Sequence, residues 1–355
     1  MKKFAWVGGS FLLLAILFIG AQRLPVVQDA LFERALAKAF SGRQKALFDG
    51  DGLKVVFCGT GSPLPSLKRA QACTAIVVGE RFFLVDAGTG SWETLAAAGV
   101  PAERLAGIFL THYHSDHIGD LSEANLASWV AGRPAPLSVY GPEGVERVVA
   151  GHNEAFALDD LYRTAHHGIA VAPPSTAGMT ARPFDGSAPH VVFEEGGLKV
   201  TAFPVKHDPV VPAVGYRFEY QGRSVVLSGD TAYSQSLVDN AHGADLLIHE
   251  AQANHMVAKI EKAAAKAGNQ RLAKILSDIP SYHTSPVEAA RAANEAGAGQ
   301  LVLTHLTPAP DNPIARRLFM RGVSKVRAKN VTLAEDGMVI LLPAEGGVKF
   351  DRLEK

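Results

Sequence analysis

Two cysteines, Cys58 and Cys73, are all that 355 residues contain. So few exclude a disulfide-built scaffold, and their spacing matches no zinc finger. Each stands at the end of an expected strand, which leaves two readings open: one bridge between them, or two small core thiols. Charge of one sign is lacking too. Lys+Arg and Asp+Glu both number 35, for a formal net charge of zero. The chain therefore has no overall basic footprint of a nucleic-acid binder, and only a local patch could serve that role. No internal repeat is evident, and long apolar runs are absent apart from one, Phe4 to Gly20. What is present is ample core material, since 47% of the residues are hydrophobic.

Lys2 and Lys3 precede that apolar run, and charge returns at Arg23. About 17 residues is the lower limit for a spanning helix. Residues 1–22 are therefore expected to be a signal anchor or a signal peptide. The uncleaved anchor is preferred, because Ile19 is a poor small residue for a cleavage site. The positive end would stay in the cytoplasm and the remainder would be exported, to the periplasm in a Gram-negative cell. Residues 23–52 are expected as a linker with an amphipathic helix from Val26 to Phe40, and 53–345 as the catalytic body.

From Leu53 the pattern becomes short β-rich runs alternating with helices. Expected strands include Leu53–Cys58, Thr74–Val78, Phe82–Asp86 and Leu105–Leu110, then Lys199–Pro204, Val214–Tyr220, Ser224–Ser228, Ala244–His249 and Leu301–Thr304. Expected helices include Ile118–Val130, Pro142–Phe156, Ala253–Ala267, Arg271–Asp278 and Pro286–Ala296, the last with Ser285 as N-cap. The stretch from Ala172 to His190, rich in Pro, Ser, Gly and Ala, reads as a loop. Trp92, Trp129, Phe203 and Phe218 read as core. The class is α/β (α+β), two packed sheets with helices outside.

The strongest local signal is Thr111-His112-Tyr113-His114-Ser115-Asp116-His117. Alternate residues of an extended segment point the same way, so His112 and His114 can share one metal. A turn then redirects Asp116 and His117 towards a second. Neutral imidazole and carboxylate form the usual ligand set of zinc, and unpaired they would be costly to bury. His207, Asp230 and His305 each follow an expected strand and bring the set to seven, enough for two metals with positions left for water and substrate.

The order His112-x-His114-x-Asp116-His117, His207, Asp230, His305 resembles the metallo-β-lactamase superfamily. The resemblance covers about residues 53–340 and implies a four-layer αββα sandwich with two divalent metal ions, zinc by preference, at one sheet edge. It implies that His112, His114 and His207 hold one metal, that Asp116, His117 and His305 hold the other, and that Asp230 bridges them. A finer likeness is to its ribonuclease Z-like and arylsulfatase-like branch, through Gly59-Thr60-Gly61-Ser62, Ser228-Gly229-Asp230-Thr231, His249-Glu250-Ala251 and Tyr282-His283-Thr284-Ser285. Pro63 and Pro65 follow the glycine run, so it is not a dinucleotide loop.

Two close metals would lower the pKa of a bridging water, giving hydroxide at neutral pH. Asp230 and Asp116 would hold the metals that activate it. The resemblance implies that His283 acts near the transferred group, and Glu250 would orient either His283 or a ligand histidine, or else cap a loop. Arg163 and His166 are candidates for binding an anionic substrate group, the alternative being a polar hydrogen-bonded loop. The expected substrate is a small-molecule phosphodiester or sulfate ester. Nucleic acid is disfavoured on three grounds: export, the absence of basic excess, and a gap of only 23 positions between His207 and Asp230, where ribonuclease Z enzymes carry a substrate-gripping arm. Alternatives are a lactone, thioester or β-lactam hydrolase, a tRNA 3′-processing endonuclease, and a non-catalytic metal-binding scaffold. An oligomer remains open, as does attachment to a membrane through the first residues.

Overall fold

The architecture is taken from a computed structural model that describes residues 22–39 and 44–354. The apolar run expected as an anchor lies outside these residues. Among the described residues no helix is long and apolar enough to cross a membrane. The chain divides into two compact units, the second running from Ala46 to Lys355. In the first, α1 spans Pro25–Ala39 with proline at its opening turn, where a missing N–H costs nothing.

The second unit holds two sheets. The first has eight strands: β1 (Leu53–Gly59), β2 (Cys73–Val78), β3 (Arg81–Val85), β4 (Leu105–Phe109), β5 (Leu137–Pro142), β6 (Met179–Phe184), β14 (Met338–Leu342) and β15 (Lys349–Arg352), in the order β15-β14-β1-β2-β3-β4-β5-β6. The second has seven: β7 (His190–Glu195), β8 (Leu198–Pro204), β9 (Val214–Tyr220), β10 (Arg223–Leu227), β11 (Leu246–Gln252), β12 (Gln300–Thr307) and β13 (Val331–Leu333), in the order β13-β12-β11-β10-β9-β8-β7. β15 lies beyond residue 345, so the sheet runs past the boundary expected from sequence. β6 forms inside the Pro- and Gly-rich stretch read as a loop. It is an edge strand bonded only to β5, with Met179 its one buried residue, so it lacks the apolar alternation that would announce it.

Alternation along the strands builds the layers. Leu53, Val55 and Phe57 of β1 face the second sheet and join Val200, Phe218 and Ile248 in the central core. Val56 and Cys58 face outward, under α2 (Ser91–Ala97) and α3 (Leu121–Val130). On the far side Val226, Leu247 and Leu301 meet α5 (Gln235–Asn240) and α8 (Pro286–Glu295) through Leu237, Ala289 and Ala293. The result is helix, sheet, sheet, helix. Trp92, Trp129, Phe203 and Phe218 are all buried, as expected. Cys58 and Cys73 are bridged, with Cα atoms 5.1 Å apart.

In each sheet an antiparallel half gives way to a parallel half: β3 to β6 in the first and β10 to β13 in the second. Parallel strands end on the same side, and ligands gather beyond their carboxyl ends. β4, β10, β11 and β12 deliver, in turn, the His112 segment, Asp230, Glu250 and His305 to that edge. The two sheets are stitched there by Val214 N–H donating to the Thr111 carbonyl at 3.0 Å and the Tyr216 hydroxyl donating to the Leu110 carbonyl at 2.6 Å.

Candidate metal centre

The expected turn after His114 is one turn of helix, Ser115–Ile118, which swings Asp116 and His117 inward. Asp230 is aimed by Gly229, whose φ of +60° is suited to glycine and whose Cβ would meet the Val214 carbonyl oxygen at 2.7 Å. Gly88 makes room in the same way, since a Cβ there would lie 2.1 Å from the Asp116 carbonyl oxygen. His305 itself has a φ of +47°, an uncommon backbone state for a non-glycine residue.

All seven side chains expected as ligands converge. His112, His114, His207 and Asp230 form one group whose donor atoms lie within 4.8 Å of one another, and Asp116, His117 and His305 form a second. Asp230 joins the groups: its Oδ2 is 3.9 Å from His112 Nε2, 3.4 Å from His117 Nε2 and 3.4 Å from His305 Nε2. Asp116 Oδ2 lies 3.1 Å from His305 Nε2. All are buried except His114, which is exposed and leaves the cluster open on one side.

The donor set fits divalent cations. Buried Nε2 atoms of His117 and His207 have no hydrogen-bond partner among the described residues, a costly state unless something else binds them. Their other nitrogens are fixed from behind. His117 Nδ1 pairs with Asp86 Oδ2 at 2.8 Å, and His207 Nδ1 with the Tyr282 carbonyl at 3.0 Å. Such partners orient an imidazole for a metal. Burial lowers the His112, His114 and His207 pKa values, keeping the rings neutral and free to donate a lone pair. Burial alone would raise Asp230, yet His305 and His117 hold it well below the usual carboxylate range.

Beside the cluster stands a second pair. His283 Nδ1 is 2.9 Å from Glu250 Oε1, and the same oxygen accepts from the backbone N–H of Thr231 and Thr284 at 3.1 and 3.2 Å. Burial works against a charged His283, but the Glu250 carboxylate outweighs it and lifts the imidazole to about 9. Asp230, His283 and His305 also group within 4.8 Å. Glu250 therefore ties β11, the Asp230 turn and the His283 loop into one frame.

The two expected substrate contacts lie on a helix, and His166 is in neither ligand group. The helix expected over Pro142–Phe156 is α4, Val145–His167, and it runs through both. Arg163 lies on it, paired with Asp159 one turn back at 2.7 Å, and His166 is exposed near its end. Asp86 was missed by the sequence reading. It accepts from Thr111 N and Oγ1, each at 2.9 Å, as well as from His117. Its one signal is its place directly after β3, matching the strand-end position of Asp230.

Residues 81–306 match the family described as "Beta-lactamase superfamily domain". The protein named ribonuclease Z of Mycobacterium bovis is 40% identical over 262 residues, covering 72% of this chain and 87% of that protein. The ribonuclease Z of Mycolicibacterium paratuberculosis is 40% identical over 260 residues, with the same coverage of both chains. Among solved structures, the metallo-β-lactamase fold protein YhfI of Bacillus subtilis aligns with a TM-score of 0.59 at 25% identity, covering 81% of this chain and 99% of its own. The short form of human tRNase Z shares the fold, with a TM-score of 0.60 at 24% identity over 82% and 99% of the two chains.

These relatives correct three expectations. A small-molecule phosphodiester or sulfate ester as substrate, and the reading that disfavours nucleic acid, do not stand against relatives named as ribonucleases at this identity. The missing arm loses its force as well. The aligned 72% of the 355-residue chain accounts for nearly all of the 262 positions, so no arm-sized insertion stands in that alignment either. Export to the periplasm with membrane attachment gains no support from these relatives, and the apolar run from which it was expected lies outside the described residues. With two sheets, helices on both outer faces and the His-Asp clusters at the strand ends, the chain belongs to the metallo-β-lactamase superfamily, in its ribonuclease Z-like branch.

Proposed function

We propose that the chain is a metal-dependent endoribonuclease that hydrolyses a phosphodiester on the 3′ side of precursor tRNA. The observation that carries the reading is the meeting of two imidazole–carboxylate groups at Asp230, with the Glu250–His283 pair beside them. Relatives named ribonuclease Z, 40% identical to this chain, support RNA as the ester cleaved.

His112, His114 and His207 would hold one divalent ion, and Asp116, His117 and His305 a second, with Asp230 reaching both. Zinc is the ion this donor set favours. Bound together, two such ions supply an acidified water and neutralise charge at the phosphoryl group. The remaining work falls to side chains. Asp86 and the Tyr282 carbonyl keep the His117 and His207 rings aimed. His283 gives its proton to the leaving ribose oxygen, and Glu250 holds the opposite ring nitrogen so that the other faces the site.

The test is a precursor tRNA carrying a 3′ trailer, incubated with zinc-loaded protein. Cleavage at one junction, lost to a chelator and restored by zinc, is expected. Turnover of bis(p-nitrophenyl) phosphate without any cut in the RNA would overturn the reading.

A further inference from the structure

The net charge of zero conceals a segregation. Helices α6 (Asn254–Lys266) and α7 (Gln270–Asp278) form a hairpin. It carries five cations against Glu261 and Asp278. Residues 313–329, which hold α9 (Pro313–Phe319) and α10 (Val323–Val326), carry six cations and no acid. Three of these cations have partners: Lys274 pairs with Asp278, Arg316 with Glu335, and Arg327 with the Asn294 side chain and the Ala298 carbonyl. Lys259, Lys262, Lys266 and Arg271 on the hairpin are exposed, as are Arg317, Arg321, Lys325 and Lys329 on the second segment. None of the eight has an ion-pair partner among the described residues.

Position gives this charge a use. α6 starts directly after β11, the strand that holds Glu250, and α7 ends just before Tyr282 and His283. The second segment follows β12 and His305. His255 Nε2 at the root of α6 lies 2.9 Å from the Leu318 carbonyl of α9, so the two elements are joined. The hairpin's core of Val257, Ala264, Ala273 and Leu276 packs on Leu64, from the loop after Gly61-Ser62, and the Thr60 carbonyl of the same loop accepts from the backbone N–H of Leu306, next to His305, at 2.9 Å. On α6, Lys259, Lys262 and Lys266 recur at i, i+3 and i+7. That places them on one face, opposite the buried Val257 and Ala264. Thirteen residues make a helix about 20 Å long, enough to follow several phosphates of an RNA stem.

We propose that the α6–α7 hairpin and the α9–α10 segment together form the phosphate-binding surface that grips the RNA. They do this in place of an arm between His207 and Asp230. The proposal rests on the endoribonuclease reading above. Cationic side chains that neutralise RNA phosphates release the counterions held there, so binding falls steeply with salt in proportion to the phosphates engaged.

The test uses the full chain, a charge-reversed variant (Lys259→Glu, Lys262→Glu, Arg317→Glu, Arg321→Glu) and the same four positions changed to Gln. Each is assayed for binding of precursor tRNA across a salt series with chelator present, for RNA cleavage with zinc, and for bis(p-nitrophenyl) phosphate turnover. None of the four residues touches the metal cluster, so small-ester turnover should hold and certify the fold. RNA affinity and RNA kcat/KM should fall at least tenfold for Gln and further for Glu. The slope of log affinity against log salt should shrink by about one for each phosphate no longer neutralised. Wild-type RNA binding and cleavage matched by both variants would overturn this surface and leave the nuclease reading intact. RNA binding that the variants lose, in a protein that never cuts RNA, would keep the surface and overturn the nuclease reading. Absence of RNA binding, with or without attachment to phosphatidylserine vesicles, would overturn the surface.

Discussion

Two segments of this chain are dense in histidine, and they have opposite fates. His112, His114 and His117 follow β4, beyond the carboxyl end of a parallel strand, and meet partners from three other strands. His166 and His167 end α4, which buries only Val145 and Val149 along 23 residues, and their rings sit 6.0 Å apart in solvent. Composition cannot tell these segments apart. The difference is what the backbone does next. A strand end at a crossing of two sheets draws distant residues together, whereas the last turn of an exposed helix meets water.

The sharpest way to break the comparison is Asp230→Ala. Asp230 is the side chain that touches both groups, and removing it leaves three imidazoles facing each other without their shared anion. RNA kcat/KM should fall by roughly a thousandfold or more, with metal content falling alongside. Retention of two metals per chain, measured by elemental analysis, together with full activity would remove Asp230 from the centre.

His283→Ala tests whether the neighbouring pair does chemistry or only supports the frame. Loss of a positioned acid costs roughly a hundred- to ten-thousandfold in kcat, and KM and metal content should change little. Glu250→Gln should fall between this variant and the wild type, since the amide can still meet backbone N–H groups but no longer draws the imidazole towards its charged form. Metal lost in step with activity in His283→Ala would make that residue structural.

Asp86 is the next rung. As the partner behind His117, its replacement by Ala should weaken metal affinity roughly ten- to a hundredfold. Activity should return when zinc is raised. Activity that stays lost at saturating zinc would give Asp86 a role beyond orientation. This residue also marks where sequence reading runs out. The seven converging side chains could be read because alternation within His112–His117 and the strand-end positions of His207, Asp230 and His305 are local patterns. Asp86 gains its meaning from a ring 31 positions away, and a lone Asp after a strand has several ordinary uses. β6 hid in a Pro-rich stretch because an edge strand needs little apolar alternation. The basic surface hid because acids elsewhere in the chain cancel it in any overall count.

The smallest effect belongs to the other side of the comparison. Arg163 and His166 carry the residue types of an anion site, yet α4 gives Arg163 an Asp one turn away and leaves His166 in solvent. Exposed pairs of this spacing contribute about 0.3–0.5 kcal/mol at most, and salt screens them. The double variant Arg163→Ala, His166→Ala should therefore keep RNA kcat/KM within about twofold and leave the melting temperature nearly unchanged. Charge reversal across the α6–α7 hairpin and the α9–α10 segment should cost far more under the same assay. A tenfold loss in the double variant would mean that RNA also reaches along α4. Histidine-rich sequence outside the strand ends would then have a use that its own structure does not announce.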